Sequence, residues 1–522
     1  MKSVPSPGEK SFPSLPSDTA KSELVQEAID SLCQNGSRNN SLLPIKTGGQ
    51  HHLAKSTFLG VVTLCAPLLA STCSAADSTN AIAAPTTFQK PAWLTDLSLG
   101  VKESYEDNVF ESGLAPSQAG APATPAGSVW ALKNVTSFIT TVSPRVGVDF
   151  APLLGDRKTL QALTLTYTPD FVIYHDASSE SYNAQRAATA VKWNNEDFSF
   201  NLTEAFTYID GSKYGPTYPG DLLSAFATAA DRERREQIQD RANVSFQYDQ
   251  EKWYVRPTST LLYYNLDTAQ YFFPGYQNYV NRYDVNGGLD FGYKIEPKFA
   301  LTLGYRYGHQ DQGEFKFAQE YSAVAIAAAH SPNDYQRVLV GFDGKPLSWL
   351  SASFQIGPDF RNFQSSAPID NKNPVTYYGE GSLIATVTSK DTIAFKYKQW
   401  EWVSSTGLVP YYDSTFDLTY ARKVTDALSL SVGGRALGAN YNPNNVEDQS
   451  GGLLGDRCVR NDWLYTVSSG AQYVFNPHFS VNLAYSYDFG VNEQDGLPAG
   501  TAGYQPRSFN HQLVSLGATV KF

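Results

Sequence analysis

Across 522 residues only 17% are charged, against about 25% in an ordinary soluble domain, while aromatic residues reach 13%, with 32 Tyr and 29 Phe. No run approaches the roughly 18 consecutive apolar residues of a helical span, which excludes a helical membrane protein. A formal net charge of -11, from 40 basic and 51 acidic side chains, argues against a phosphate-backbone partner, and no nucleic acid is expected.

Residues 1–50 are rich in Ser, Pro and Asn, carry one short helical patch at 22–33, and read as a disordered or foreign-looking N-terminal extension. Residues 51–75 read as a signal peptide. Lys46, His51, His52 and Lys55 precede an apolar-leaning stretch from Phe58 to Ala70, and small residues run from Ser71 to Ala76, with cleavage expected after Ala75. Because Met1 is the only methionine, the expected start of synthesis is a non-AUG codon near residue 42 or 53. Of the four cysteines, Cys33, Cys65 and Cys73 precede the cleavage point, leaving Cys458 as a single thiol with no internal disulfide and no zinc site. Residues 76–92 read as a periplasmic tail, and 93–522 as a transmembrane β-barrel.

From Trp93 onward the apolar pattern has period two, which is the period of a strand. Phe138, Val142, Val146 and Val148 fall on one side, as do Leu163, Leu165, Tyr167, Phe171 and Ile173. Phe198, Phe200, Leu202 and Phe206 repeat the pattern, as do Ala242, Val244, Phe246 and Tyr248. About 18 strands are expected, with 16 as the alternative count, starting near residues 95, 136, 160, 184, 197, 238, 253, 282, 299, 336, 349, 374, 392, 412, 428, 462, 479 and 509. The fold class is all-β, an antiparallel up-and-down barrel. Short turns are expected at 194–197, 249–252, 343–346, 389–392 and 476–478, alternating with long loops at 106–134, 209–237, 308–335, 440–461 and 490–507. That asymmetry, and a mean hydropathy of -0.33, fit strands that alternate lipid-facing and lumen-facing residues.

Rings cluster at both strand ends. Trp193, Trp253, Phe299, Trp349, Phe475 and Phe479 adjoin the short turns, while Tyr105, Tyr208, Tyr263, Tyr307, Phe360, Tyr412 and Phe489 adjoin the long loops. Amphipathic rings favour the two lipid-water interfaces. The chain ends Ser515-Leu516-Gly517-Ala518-Thr519-Val520-Lys521-Phe522, apolar on alternate positions and closing on a ring. Ser515, Gly517, Val520 and Phe522 in this stretch resemble the signal by which the outer-membrane assembly machinery recognises a final barrel strand. Leu97 to Phe110 and Gln512 to Phe522 together resemble the first and last strands of Gram-negative outer-membrane porin-like barrels, more specifically the β-barrel porin type 2 family. The resemblance covers roughly 93–522 and implies a channel-like protein in the cell outer membrane.

The positions alternating with the apolar ones are expected to line the lumen. They are Arg145, Asp149, Arg241, Arg256, Asp284, Asp290, Arg306, Glu380, Lys396, Lys398, Asp417 and Arg435. Both signs occur, so these residues either pair across the wall or tune solute passage. Two long loops with helical spacing, around Leu222, Leu223, Phe226 and Ala230 and from Phe315 to His330, are expected either to narrow the pore or to cap it. No nucleophile motif accompanies His175, His309, His330, His478 or His511, and Asn440 to Asp448 lacks the spacing of a calcium loop. No enzyme activity, cofactor or metal is expected. The partners expected are outer-membrane lipid, the barrel assembly machinery, small polar solutes and, as an open question, further copies of the chain in a homo-oligomer. Function reads as passive diffusion of small polar solutes through a porin-like channel. The alternative is an export conduit or scaffold of an exopolysaccharide or secretion system. Both termini are expected on the periplasmic side.

Overall fold

In a computed structural model of the chain, the described residues are 90–109, 136–154, 158–211, 236–266, 281–312, 331–365, 371–403, 410–441, 460–494 and 509–522. The expected extension, signal peptide, Cys458 and both helix-spaced loops lie outside them. The period-two segments form 18 strands. They are β1 (Leu94–Glu106), β2 (Ser137–Asp149), β3 (Leu160–Tyr174), β4 (Tyr182–Asn194), β5 (Phe198–Ile209) and β6 (Gln237–Asp249). The next six are β7 (Trp253–Leu266), β8 (Arg282–Glu296), β9 (Phe299–Gln312), β10 (Asn333–Leu347), β11 (Leu350–Phe363) and β12 (Val375–Thr388). The wall is completed by β13 (Asp391–Trp402), β14 (Tyr411–Lys423), β15 (Leu428–Tyr441), β16 (Arg460–Asn476), β17 (Phe479–Gln494) and β18 (Phe509–Lys521). Every expected start falls within three residues of the observed one.

Each strand pairs antiparallel with its sequence neighbours, and β1 pairs with β18, so the sheet closes and no edge is left. Closure satisfies every ladder donor and acceptor without water, the condition for strands in hydrocarbon. At the seam Ser98 faces Lys521, Ser104 faces Ser515, and the two serine hydroxyls lie 2.9 Å apart. The Phe522 amide donates to the Leu97 carbonyl at 2.8 Å, so the last residue is tied to the first strand.

Side chains sort by parity, and the result is inside-out relative to a soluble protein. Leu99, Val101, Phe171, Leu289, Leu301, Leu303, Val340, Val467, Leu483 and Leu516 point outward and are exposed, whereas Ser104, Glu106, Asp284, Asp290, Arg337, Asp359 and Arg361 point inward and are buried. Leu303 and Val340, partners in register, are 54% and 55% exposed. Rings follow the outer wall in contact: Phe198 lies 5.5 Å from Phe246, Tyr248 5.9 Å from Trp253, and Trp253 6.3 Å from Phe291. At the other end Tyr105 lies 5.3 Å from Phe138 and Tyr465 5.0 Å from Phe489.

Turn chemistry explains the short connections. The Asn195 side-chain oxygen accepts from the amides of Asp197 and Phe198, and the Asn476 oxygen accepts from His478, each an Asx turn that reverses the chain. One expected turn is corrected. Asp343 to Pro346 belongs to β10, and the reversal falls instead between Leu347 and Leu350. Gly344 has φ +127°, open to glycine, and the register between β10 and β11 shifts between Gly344 and Leu347. The Asp-Gly-Lys-Pro signature therefore marks a bulge, not a turn. The β3–β4 connection, between Tyr174 and Tyr182, is short although it lies at the long-loop end.

Candidate functional site: the barrel lumen

The twelve residues expected to line the lumen share the strand parity of the buried charges, opposite to that of the exposed apolar residues, and their partners fall into several groups. Arg145 Nε lies 3.1 Å from Asp96 across the β1–β2 ladder. Asp149 accepts from the backbone amides of Ala151 and Leu163 and so holds the chain where it leaves β2. Asp290 on β8 receives Arg256 from β7 at 3.3 Å and Arg306 from β9 at 2.7 Å, and Arg256 also reaches Asp343 on β10 at 2.7 Å. Four adjacent strands are thereby tied by one alternating charge network. Arg435 donates through Nε and Nη2 to Asp417, its register partner. Lys396 sits opposite Asp417, and Glu380 opposite Lys398.

Asp284 belongs to a different group, at the long-loop half of the lumen. It accepts from the Tyr335 hydroxyl at 2.9 Å and from Gln310 Nε2 at 2.7 Å. Asp359 accepts from Arg337 Nε at 3.0 Å and from Arg361 Nη2 at 2.7 Å, all three side chains being almost wholly buried. The Arg337 guanidinium lies between the rings of Tyr335 and Tyr378, 4.0 and 4.1 Å from their centroids. Charged groups this deep persist because each finds opposite charge, hydrogen bonds and ring faces.

This cluster receives the end of β13. Pairing between β12 and β13 stops at Gly379 and Gln399, while β13 and β14 stay paired as far as Trp402 and Tyr411. The described end of the β13–β14 hairpin thus parts from β12, while β14 stays paired with β15 as far as Tyr412 and Asn440, and the end of β13 leans over the lumen. Its Glu401 carbonyl accepts from Gln310 at 3.1 Å and from Arg361 at 3.0 Å, and its Val403 carbonyl accepts from Arg282 at 3.0 Å. Arg282 also lies 4.9 Å from the Trp402 ring, which stacks on Trp400 at 4.5 Å. Since Arg282, Gln310 and Arg361 stand on β8, β9 and β11, these bonds cross the interior. Trp400, Trp402 and Val403 join Tyr264, Leu339, Tyr378, Tyr411 and Ala439 in a buried apolar cluster.

A second cluster lies at the same end of the barrel. Val109, just past β1, is packed with Ile139, Val172, Tyr174, Ala177, Tyr182, Ala184 and Ile209, whose strand members all have inward parity. Apolar side chains of inward parity thus pack in two separate clusters at the long-loop end.

Sequence reasoning did not single out Arg282, Gln310, Tyr335, Arg337, Asp359, Arg361, Trp400 or Trp402. Their inward parity was readable from the period-two pattern. Two tryptophans on the lumen parity of one strand, Trp400 and Trp402, are the signal that could have marked the leaning hairpin. Among the described residues no group of His, Cys, Asp and Glu is arranged to hold a metal ion. His511 lies between Glu106 and Asp488, each 2.9 Å from a ring nitrogen, and ties β1, β17 and β18 at the seam.

No protein-family model matches the chain, and no curated protein compared with it matches either. Solved structures do. Pseudomonas aeruginosa OpdK with vanillate is similar over 83% of this chain and 100% of its own, with 10% identity and a TM-score of 0.38. The ferric citrate transporter FecA in its unliganded form is similar over 83% of this chain and 79% of its own, with 10% identity and a TM-score of 0.37. The siderophore receptor PiuA from Acinetobacter baumannii covers 81% of this chain and 82% of its own, with 9% identity and a TM-score of 0.34.

Proposed function

We propose that the chain is a Gram-negative outer-membrane channel passing small polar solutes by passive diffusion. The observation that carries this reading is the inversion of the wall, apolar and exposed outside, charged and enclosed inside, around a closed ring of 18 strands. A continuous exposed apolar belt needs lipid to cover it, and barrels of 16 to 18 strands leave an aqueous channel. In this reading the short turns and both termini are periplasmic and the long loops extracellular. The leaning β13–β14 hairpin and the Val109 cluster narrow the outer mouth, and the twelve inward charges line the path below. Ser515, Gly517, Val520 and Phe522 serve assembly. Two measurements test the proposal. On gels of outer-membrane fractions the unboiled protein migrates differently from the boiled one, and purified protein makes liposomes swell in small sugars or amino acids. Identical migration with a soluble protein overturns the barrel in lipid. Heat-modifiable protein that leaves liposomes impermeable to all such solutes overturns passive diffusion and favours a dedicated conduit.

A further inference from the structure

The wall fills its lumen unevenly. On β8–β11 the inward side chains are large and covered, with Asp290 2%, Arg337 3%, Gln355 8% and Asp359 0% exposed. On β15–β17 they are small and less covered. Ser429, Ser431, Ser468, Asn482 and Ser486 are half-buried and Gln472 is exposed, all with parity opposite to the outward Val432, Val467 and Leu483. A side chain on the inner face of a closed wall can be wetted only from the lumen, so these three strands border free space.

Glycine keeps this side flat. Gly433 stands opposite Ser468 and Gly470 opposite Ser431, and a Cβ on either glycine would lie 2.6 or 2.8 Å from its partner's hydroxyl oxygen. Each hydroxyl therefore sits over bare backbone of the next strand. The inward positions within 429–433, 468–472 and 480–486 hold only Ser, Gly, Gln, Asn and Ala, so the facet carries hydroxyls and amides but no charge. Charges at its long-loop border are engaged already: Arg435 donates to Asp417 through two nitrogens, and Asp488 lies against Thr466 and His511. Such a surface exchanges hydrogen bonds with a solute's hydroxyls at little net cost, since each bond to water is replaced by one to the wall. A charged solute finds no fixed counter-charge there to replace lost hydration.

We infer that solutes pass along the β15–β17 side of the lumen, and that its hydroxyl-lined facet favours neutral polyhydroxylated molecules, sugars or polyols, over charged molecules of the same skeleton. This rests on the channel reading and gives it a path and a substrate class.

Two measurements test it. In a chain whose four native cysteines are replaced by serine, a membrane-impermeant maleimide labels Ser431→Cys and Ser468→Cys of the refolded barrel several-fold faster than Thr302→Cys and Gln355→Cys on the packed side. Equal rates on both sides, or faster labelling on the packed side, overturn the path whether or not the barrel conducts. Vesicles loaded with radiolabelled glucose, gluconate or glucosamine then compare one skeleton in three charge states. Wild type releases glucose several-fold faster than either ion. Gly470→Phe, which fills the facet, slows glucose several-fold, and Thr302→Val does not. Labelling Ser431→Cys after folding gives the same slowing, so the result does not depend on how Gly470→Phe folds. Equal release of all three, faster release of an ion, or glucose release untouched by filling the facet overturns the inference and leaves the channel standing. Release of none of the three from vesicles holding heat-modifiable protein removes the channel reading, and the solute preference with it.

Discussion

At the scale of the residue, the lumen shows what burial demands of charge. Arg361 is wholly buried and donates to Asp359, Gln310, Asn333 and the Glu401 carbonyl. Replacing it by methionine keeps the volume and leaves Asp359 with one cation. Breaking a buried pair in this way costs about 3–5 kcal/mol. The Arg361→Met barrel therefore unfolds from lipid vesicles at lower urea than wild type. The same change frees the hairpin tip, so single-channel conductance rises in whatever fraction folds. An unchanged urea midpoint would show that the Asp359 cluster is solvated. None of this group was foreseen as a unit. Parity assigns Arg361 to the inner face, but no sequence pattern links it to Glu401 on a strand two places away.

At the scale of the element, strands are set by alternation and their local irregularities by neighbours. Gly341 sits where β10 passes β11 so closely that an added Cβ would run into the Phe354 carbonyl. Gly434 on β15 has nothing within 4 Å of such an atom. Gly341→Ala is expected to lower the urea midpoint of refolded barrel, and Gly434→Ala to leave it near wild type. Equal midpoints would mean that β10 and β11 separate freely at this point. The same two strands hold the misread turn. Asp343-Gly344-Lys345-Pro346 has the composition of a reversal, yet Lys345 donates to the Lys298 carbonyl at 2.5 Å and the strand runs on. A partner strand decides between bulge and turn, and that partner is invisible in the local sequence.

At the scale of the whole molecule, the exposed apolar belt makes two adjacent residues unequal. Val467 and Ser468 lie near the middle of β16, Val467 outward and 52% exposed, Ser468 inward beside Gly433. Arginine on the lipid face near the bilayer midplane costs about 2–4 kcal/mol, while lumenal positions tolerate charge and tune passage. Val467→Arg is thus expected to lose stability in vesicles, and Ser468→Arg to fold and change ion selectivity. Equal tolerance at both positions would remove the belt. Closure belongs to this scale as well. Since the Phe522 amide joins Leu97 and Val520 faces Leu99, loss of Phe522 is expected to reduce the heat-modifiable fraction in outer membranes more than it lowers the stability of barrel refolded in vitro. Equal losses in both would assign Phe522 to the seam and not to assembly.

The sequence by itself determined the strand count, the strand positions and the up-and-down order. These depend on a period of two and on turn residues, both of which act over a few positions. Only the tertiary structure decided which inward side chains pack together at the long-loop end and which strands are tied across the interior. That Arg282 and Arg361 donate to the carbonyls of Val403 and Glu401 depends on how the closed wall brings strands together across its interior. Such contacts arise between residues more than a hundred positions apart or on non-neighbouring strands, and periodicity carries no information about them.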